Sequence, residues 1–173
     1  SACGSSTPQE ENNDVANNEA RYHDYVTNDF RMSVPDDWDT LNNFDSSYPD
    51  GLRVAFKNNI KDTGFTANVS VFENESEKSM TNEDLSQNEL KNNSETLLEY
   101  QLISQEEITL DKSTTYLNVF EGKNSADSAT YRFMQTYIAK GTSTWVISAT
   151  YEATEDEFVV EKMETMLKSF NLK

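Results

Sequence analysis

Hydrophobic and polar positions alternate in the stretch YVTNDFRMSVP, where Phe30, Met32 and Val34 fall on one side. A period of two predicts a half-buried strand over 25–35, closed by Pro35. The next residues, DDWDTLNNFDSSYPDG, hold no sustained period and carry turn chemistry at Pro49-Asp50-Gly51, so they read as a loop. Two strands follow, over 52–60 (LRVAFKNNI) and 65–72 (FTANVSVF), joined by KDTG as a hairpin with Ala67, Val69 and Val71 on one face. Thr81 with Asp84 three residues on is a helix-capping pattern, and Leu90, Leu97 and Leu98 at helical spacing extend the predicted helix to about Tyr100. Four further strands are predicted over 102–110, 115–121, 129–139 and 144–151. The last two arms, in TYRFMQTYIAKGTSTWVISATY, are rich in β-branched and aromatic residues and turn at Lys140-Gly141-Thr142. A capping box at Thr154-Glu155-Asp156-Glu157 opens a final helix with Phe158, Met163, Met166, Leu167 and Phe170 on one stripe. The sum is an α+β fold, a central antiparallel sheet with one helix inserted midway and one at the end.

Length and composition narrow the picture. At 173 residues, with 35% hydrophobic and 11% aromatic residues, the chain has material for one domain with a packed core. Asp and Glu outnumber Lys and Arg by 31 to 14, giving a formal charge of −17. Such a surface repels phosphate backbones and anionic lipid headgroups, so nucleic acid is not an expected partner, nor is adsorption to a membrane through charge. The charge is expected to keep the domain soluble and monomeric. No apolar run approaches the length of a bilayer span.

One cysteine occurs, Cys3, so no disulfide can close within the chain. It is followed by GSSTPQEENNDVANNEA, too polar and acidic to fold around a buried thiol. Ser1-Ala2-Cys3-Gly4 resembles the end of a bacterial lipobox, with small residues before the invariant cysteine. The resemblance covers four residues. It implies a thioether to diacylglycerol at Cys3, removal of an export signal, and anchoring on the extracytoplasmic side of a bacterial membrane. At about 0.8 kcal/mol per buried methylene, two acyl chains hold a soluble domain firmly. The expected division is therefore a lipobox remnant and flexible polar tether over 1–22, then a folded domain over 23–173. The tether's root-mean-square span is about 25 Å.

The folded part resembles the PsbP/Mog1p-like fold. FRMSVPDDW matches its opening, a hydrophobic strand, proline, a short acidic loop and a tryptophan. YIAKGTSTWVISATYEATEDEFVVEKMETMLKSFNL is similar to its ending, a hairpin and a helix finishing in a Ser-Phe pair, here Ser169 and Phe170. The resemblance spans roughly 25–172 and implies an αβα sandwich. Members are mostly accessory or binding proteins: a photosynthetic extrinsic subunit, a Ran-binding nuclear protein and many bacterial lipoproteins. The basic patches and histidine cation ligands of some relatives have no counterpart in an acidic chain with one histidine.

Catalytic parts are scarce. His23, the lone histidine, stands where the tether meets the first strand, a poor place to hold a general base, and is expected to be a solvated imidazole. One histidine and one thiol do not make a zinc site, and no phosphate-cradling glycine motif occurs. Asp36, Asp37 and Asp39, with Asn42, Asn43 and Asp45 after them, are weak calcium candidates: hard oxygens grouped in a loop, without EF-hand spacing. Glu73, Glu75 and Glu77 read as a solvated strand end. Trp145 is expected in the core. Trp38, in an acidic loop, is either a binding anchor or a plug at the end of the sheet, with the structural role favoured. The expectation is a non-enzymatic, lipid-anchored binding or accessory module of the cell envelope, without cofactor, whose partners are the membrane through Cys3 and an envelope protein. The alternatives are an envelope hydrolase using paired carboxylates and a calcium-binding module.

Overall fold

The computed structural model describes residues 19–59 and 64–173. Its first hairpin stands where one strand was predicted. β1 (Tyr22–Val26) and β2 (Phe30–Pro35) pair antiparallel, with Tyr25 opposite Met32. Thr27 makes the turn: its hydroxyl accepts from the amides of Asp29 and Phe30, both at 3.1 Å, and its own amide donates to the Phe30 carbonyl. This is local hydroxyl-to-backbone turn chemistry, which an alternation count does not register. Phe30, Met32 and Val34 are buried, as the pattern predicts.

The stretch read as a loop contains a short strand, β3 (Trp38–Leu41), pairing with β4 (Leu52–Asn58). Four residues with two exposed polar side chains are too few to show a period. β4 pairs with β5 (Asn68–Glu75), bringing Val54, Phe56, Val69 and Val71 into the core, and α1 (Asn82–Thr96) follows. The predicted capping box forms: the Thr81 hydroxyl accepts from the Asp84 amide at 3.0 Å, and the Thr81 amide donates to the Asp84 carboxylate at 3.2 Å. The predicted leucine stripe does not seat the helix. Leu85 and Ser86 are its buried residues, while Leu98 lies beyond its end and is exposed.

β6 (Leu98–Leu110), β7 (Ser113–Lys123), β8 (Tyr131–Lys140) and β9 (Ser143–Glu152) complete a seven-stranded antiparallel sheet, ordered β3-β4-β5-β9-β8-β7-β6. Gly122 on β7 permits close approach of the chain leaving α1, because a Cβ there would stand 2.8 Å from the Leu97 side chain. α2 (Glu157–Lys168) begins later than the predicted capping box. Its N-cap is Asp156, whose carboxylate accepts from the Phe158 amide at 2.8 Å, and that frame leaves Phe158 74% exposed and turns Val159 inward.

The chain then forms β10 (Asn171–Leu172), which joins β1 and β2 in a second sheet ordered β1-β2-β10. The terminal Ser-Phe pair fastens this corner. Ser169 accepts from the Ser33 amide of β2 at 2.8 Å, and the buried Phe170 ring lies 5.3 Å from Phe30 and 5.8 Å from Trp145.

Successive residues of β8 point to opposite faces, and this separates two cores. Met134 and Ile138 join Val159, Met163, Met166 and Leu167 of α2 together with the β2 side chains. Tyr137 faces the other way and meets Leu85 of α1 with Val146. The architecture is α+β: one mostly antiparallel sheet, α1 on one face, α2 and the small sheet on the other.

Candidate functional site

Trp38 is 5% exposed and belongs to the large core. Its indole N–H has no hydrogen-bond partner. The tryptophan closes the end of the sheet from within, while its neighbours in sequence turn outward. Asp36 and Asp37, in the turn after β2, line a groove that Asp39 does not reach. Asp39 is exposed on β3, opposite Lys57. Among the described residues, no three His, Cys, Asp or Glu side chains gather as a metal-binding group.

The groove is an open trough of about 1190 Å³. Glu19, Arg21 and Tyr22 form its entry, the Asp36–Asp37 turn one wall, and residues 64–67 before β5 another. The β9–α2 connection and the first turns of α2 supply Glu152, Glu155, Asp156, Phe158 and Glu161. Carboxylates outnumber the cations Arg21 and Lys162 along this lining, so its potential is negative. It also offers rings: Phe158 stands exposed at its edge, and the Phe65 ring in its wall lies 4.6 Å from Tyr131. Acidic walls with exposed aromatic surface suit a cationic, partly apolar segment and oppose a phosphate.

His23 sits close by. Its Nδ1 lies 2.9 Å from an Asp36 carboxylate oxygen, and both side chains are about half exposed (48% and 52%). Such a pair contributes little to stability. Cys3 and residues 4–18 lie outside the described residues, and the described chain begins at Glu19, in the lining of the groove. The side chains of this trough, with Asn58 of β4 among them, come from five separate stretches of sequence, and no local motif joins them.

A second polar assembly, buried under α1, has no counterpart in the sequence reading. Asn118, Gln135 and Ser148 occupy one cross-strand row of β7, β8 and β9. The Asn118 amide donates to Ser86 of α1 at 2.8 Å and to the Tyr137 hydroxyl at 3.1 Å. Tyr137 donates to Gln135, whose amide donates to Ser148, each at 3.1 Å. Burial raises the Tyr137 phenol above its ordinary range, against the lowering effect of its bond to Asn118. It also raises Glu89, one helical turn beyond Ser86.

Comparison with known proteins places the fold. No protein-family model matches the sequence, and no curated protein does. Several solved structures do. Cyanobacterial PsbP (CyanoP) from Synechocystis sp. PCC 6803 superposes with a TM-score of 0.59 at 18% identity, covering 100% of this chain and 98% of its own. The Ran-binding protein Mog1p of Saccharomyces cerevisiae gives 0.59 at 14%, over 89% of this chain and 96% of its own. LpqN of Mycobacterium tuberculosis, involved in cell envelope biogenesis, gives 0.58 at 15%, over 90% and 92%. The chain has the PsbP/Mog1p-like fold.

Proposed function

We propose that this protein is a lipid-anchored module of the bacterial cell envelope, moored through Cys3, that binds a protein partner without catalysing a reaction. The groove carries the reading. It is acidic, it exposes Phe158, and the chain enters the folded domain through its lining at Glu19–Tyr22. A domain tethered from that end holds the groove on its tethered side, within the span of a short polar linker. A cationic segment of an envelope protein with an apolar residue for Phe158 fits those walls. The fold of LpqN and of Mog1p supports a binding role, since the one is involved in cell envelope biogenesis and the other is a Ran-binding protein.

Two measurements test the reading. Radiolabelled palmitate fed to cells is expected to label the wild-type protein and not Cys3→Ala, with the variant leaving the membrane fraction. Equal labelling refutes the anchor. A photocrosslinker at Phe158 is expected to trap an envelope protein that one on the opposite face, at Glu83, does not. Identical adducts from both positions refute the groove as the contact.

A further inference from the structure

The two edges of the large sheet are unlike each other. β3 at one edge is four residues long, whereas β6 at the other has thirteen, nearly all exposed. Natural sheets blunt a free edge with charged side chains (Lys above all), Pro, bulges or brevity, because unpaired backbone groups template the addition of another strand. β6 (LEYQLISQEEITL) has neither Lys nor Pro. Its bulges fall at Leu98/Gln101 and Leu102/Ser104, which leaves Ser104–Leu110 as a regular, uninterrupted edge.

Side chains along that edge carry a recognisable pattern. Glu106 and Glu107 are exposed and adjacent, so they project to opposite faces of the sheet. Their cross-strand neighbours are Leu117 and Tyr116, and neither glutamate forms an ion pair among the described residues. Elsewhere on β6 and β7 the acids are matched: Glu99 meets Lys123 and Glu121 meets Arg132, each at 3.2 Å. At the bulge preceding this stretch, Leu102 and Ile103 are exposed at 43% and 41%. The regular edge is therefore free in its backbone and anionic on both faces, and the bulge just before it exposes two apolar side chains.

We propose that the outer edge of β6 docks an extended cationic strand of a partner protein by β-sheet addition, with two adjacent basic residues beside Glu106 and Glu107 and two apolar residues at Leu102 and Ile103. Charge selects this occupant. A second copy would bring glutamates against glutamates between bodies of charge −17, and residues 4–18 of the chain contain no Lys or Arg. Like charges across a pair oppose self-association while leaving the edge open to a basic strand. The surface is distinct from the groove, and the inference stands whether or not Cys3 carries lipid.

The test uses the full chain and two labelled peptides, KTKKTTVVTK and its acidic counterpart ETEETTVVTE. Fluorescence anisotropy is expected to show binding of the basic peptide only, with amide exchange slowed at 104–110. Reversal in Glu106→Lys/Glu107→Lys is expected to weaken the basic peptide about tenfold and to let the acidic one bind. If circular dichroism shows that variant unfolded, Glu106→Gln/Glu107→Gln replaces it, with about threefold weakening expected. Four outcomes overturn the proposal: no binding of the basic peptide, equal binding of both peptides, protection at 152–158 in place of β6, or dimerisation of the chain itself in sedimentation.

Discussion

Tyr137→Phe removes one oxygen from a side chain that is 0% exposed, and the network around it sets the cost. The hydroxyl makes two bonds of 3.1 Å, donating to Gln135 and accepting from Asn118. Asn118 keeps its bond to Ser86 but loses the partner of its second amide hydrogen, in a side chain whose carbonyl oxygen already has none. Gln135 also loses a partner, since Tyr137 supplies the hydrogen bond to its carbonyl oxygen and the side chain is 6% exposed. A lost bond costs about 1 kcal/mol and a stranded buried acceptor about 1–3 kcal/mol more, partly the same energy, so about 2–3 kcal/mol is expected. Packing is unchanged because Phe fills the same ring volume. For a domain of this size the melting temperature should fall by roughly 5–10 °C. Urea denaturation is the assay: the midpoint moves and the slope does not. An alkaline arm adds a sign. Burial raises the folded-state pKa of Tyr137, so below the ordinary tyrosine value of 10.0 the group contributes no pH dependence. Above it the unfolded chain releases a proton that the folded chain retains, and stability falls as pH rises. The Phe variant should lose less stability in that alkaline window. A change below about 0.5 kcal/mol, or identical alkaline profiles, refutes the network as a stabilising unit.

Three further substitutions probe other parts of the same physics. Thr136, on the opposite face of β8, buries a hydroxyl with no partner, so Thr136→Val should hold or raise stability by up to about 1 kcal/mol, read by urea denaturation. Lys112 takes a positive φ of 63° beside Asp111 at 49° in the two-residue turn between β6 and β7, a turn that favours Asp-Gly, and Lys112→Gly should stabilise by about 0.5–1 kcal/mol in thermal melts. Glu89 has its pKa raised by burial, so the folded chain holds its proton to higher pH than the unfolded one and stability declines as pH rises past the ordinary value of 4.5. Glu89→Gln should therefore be more stable than wild type at neutral pH, with the difference vanishing in acid; a difference constant with pH refutes the cause assigned.

Local chemistry was readable where a residue acts on its own neighbours. The alternation of Phe30, Met32 and Val34, the cap at Thr81 and the hairpin around Gly141 each depend on contacts a few residues apart, and each appears in the structure. The misreadings at α2, β3 and β10 share one cause. Helix frame at α2 hinged on whether Thr154 or Asp156 caps, and only docking on the β2 side decided that Val159 turns inward and Phe158 outward. β3 and β10 exist because a partner strand stands beside them, and neither has enough residues to carry a period.

What this sequence determined by itself is the longer strands and the two helices, most of their apolar faces and an acidic composition with a single thiol, because propensity, periodicity and charge are properties of neighbours along the chain. Tertiary structure alone decided that Asn118, Gln135 and Ser148 share a row, that five separate stretches form one acidic trough, and that β6 is left with a bare edge. These depend on strand order and register, which bring together residues far apart in sequence.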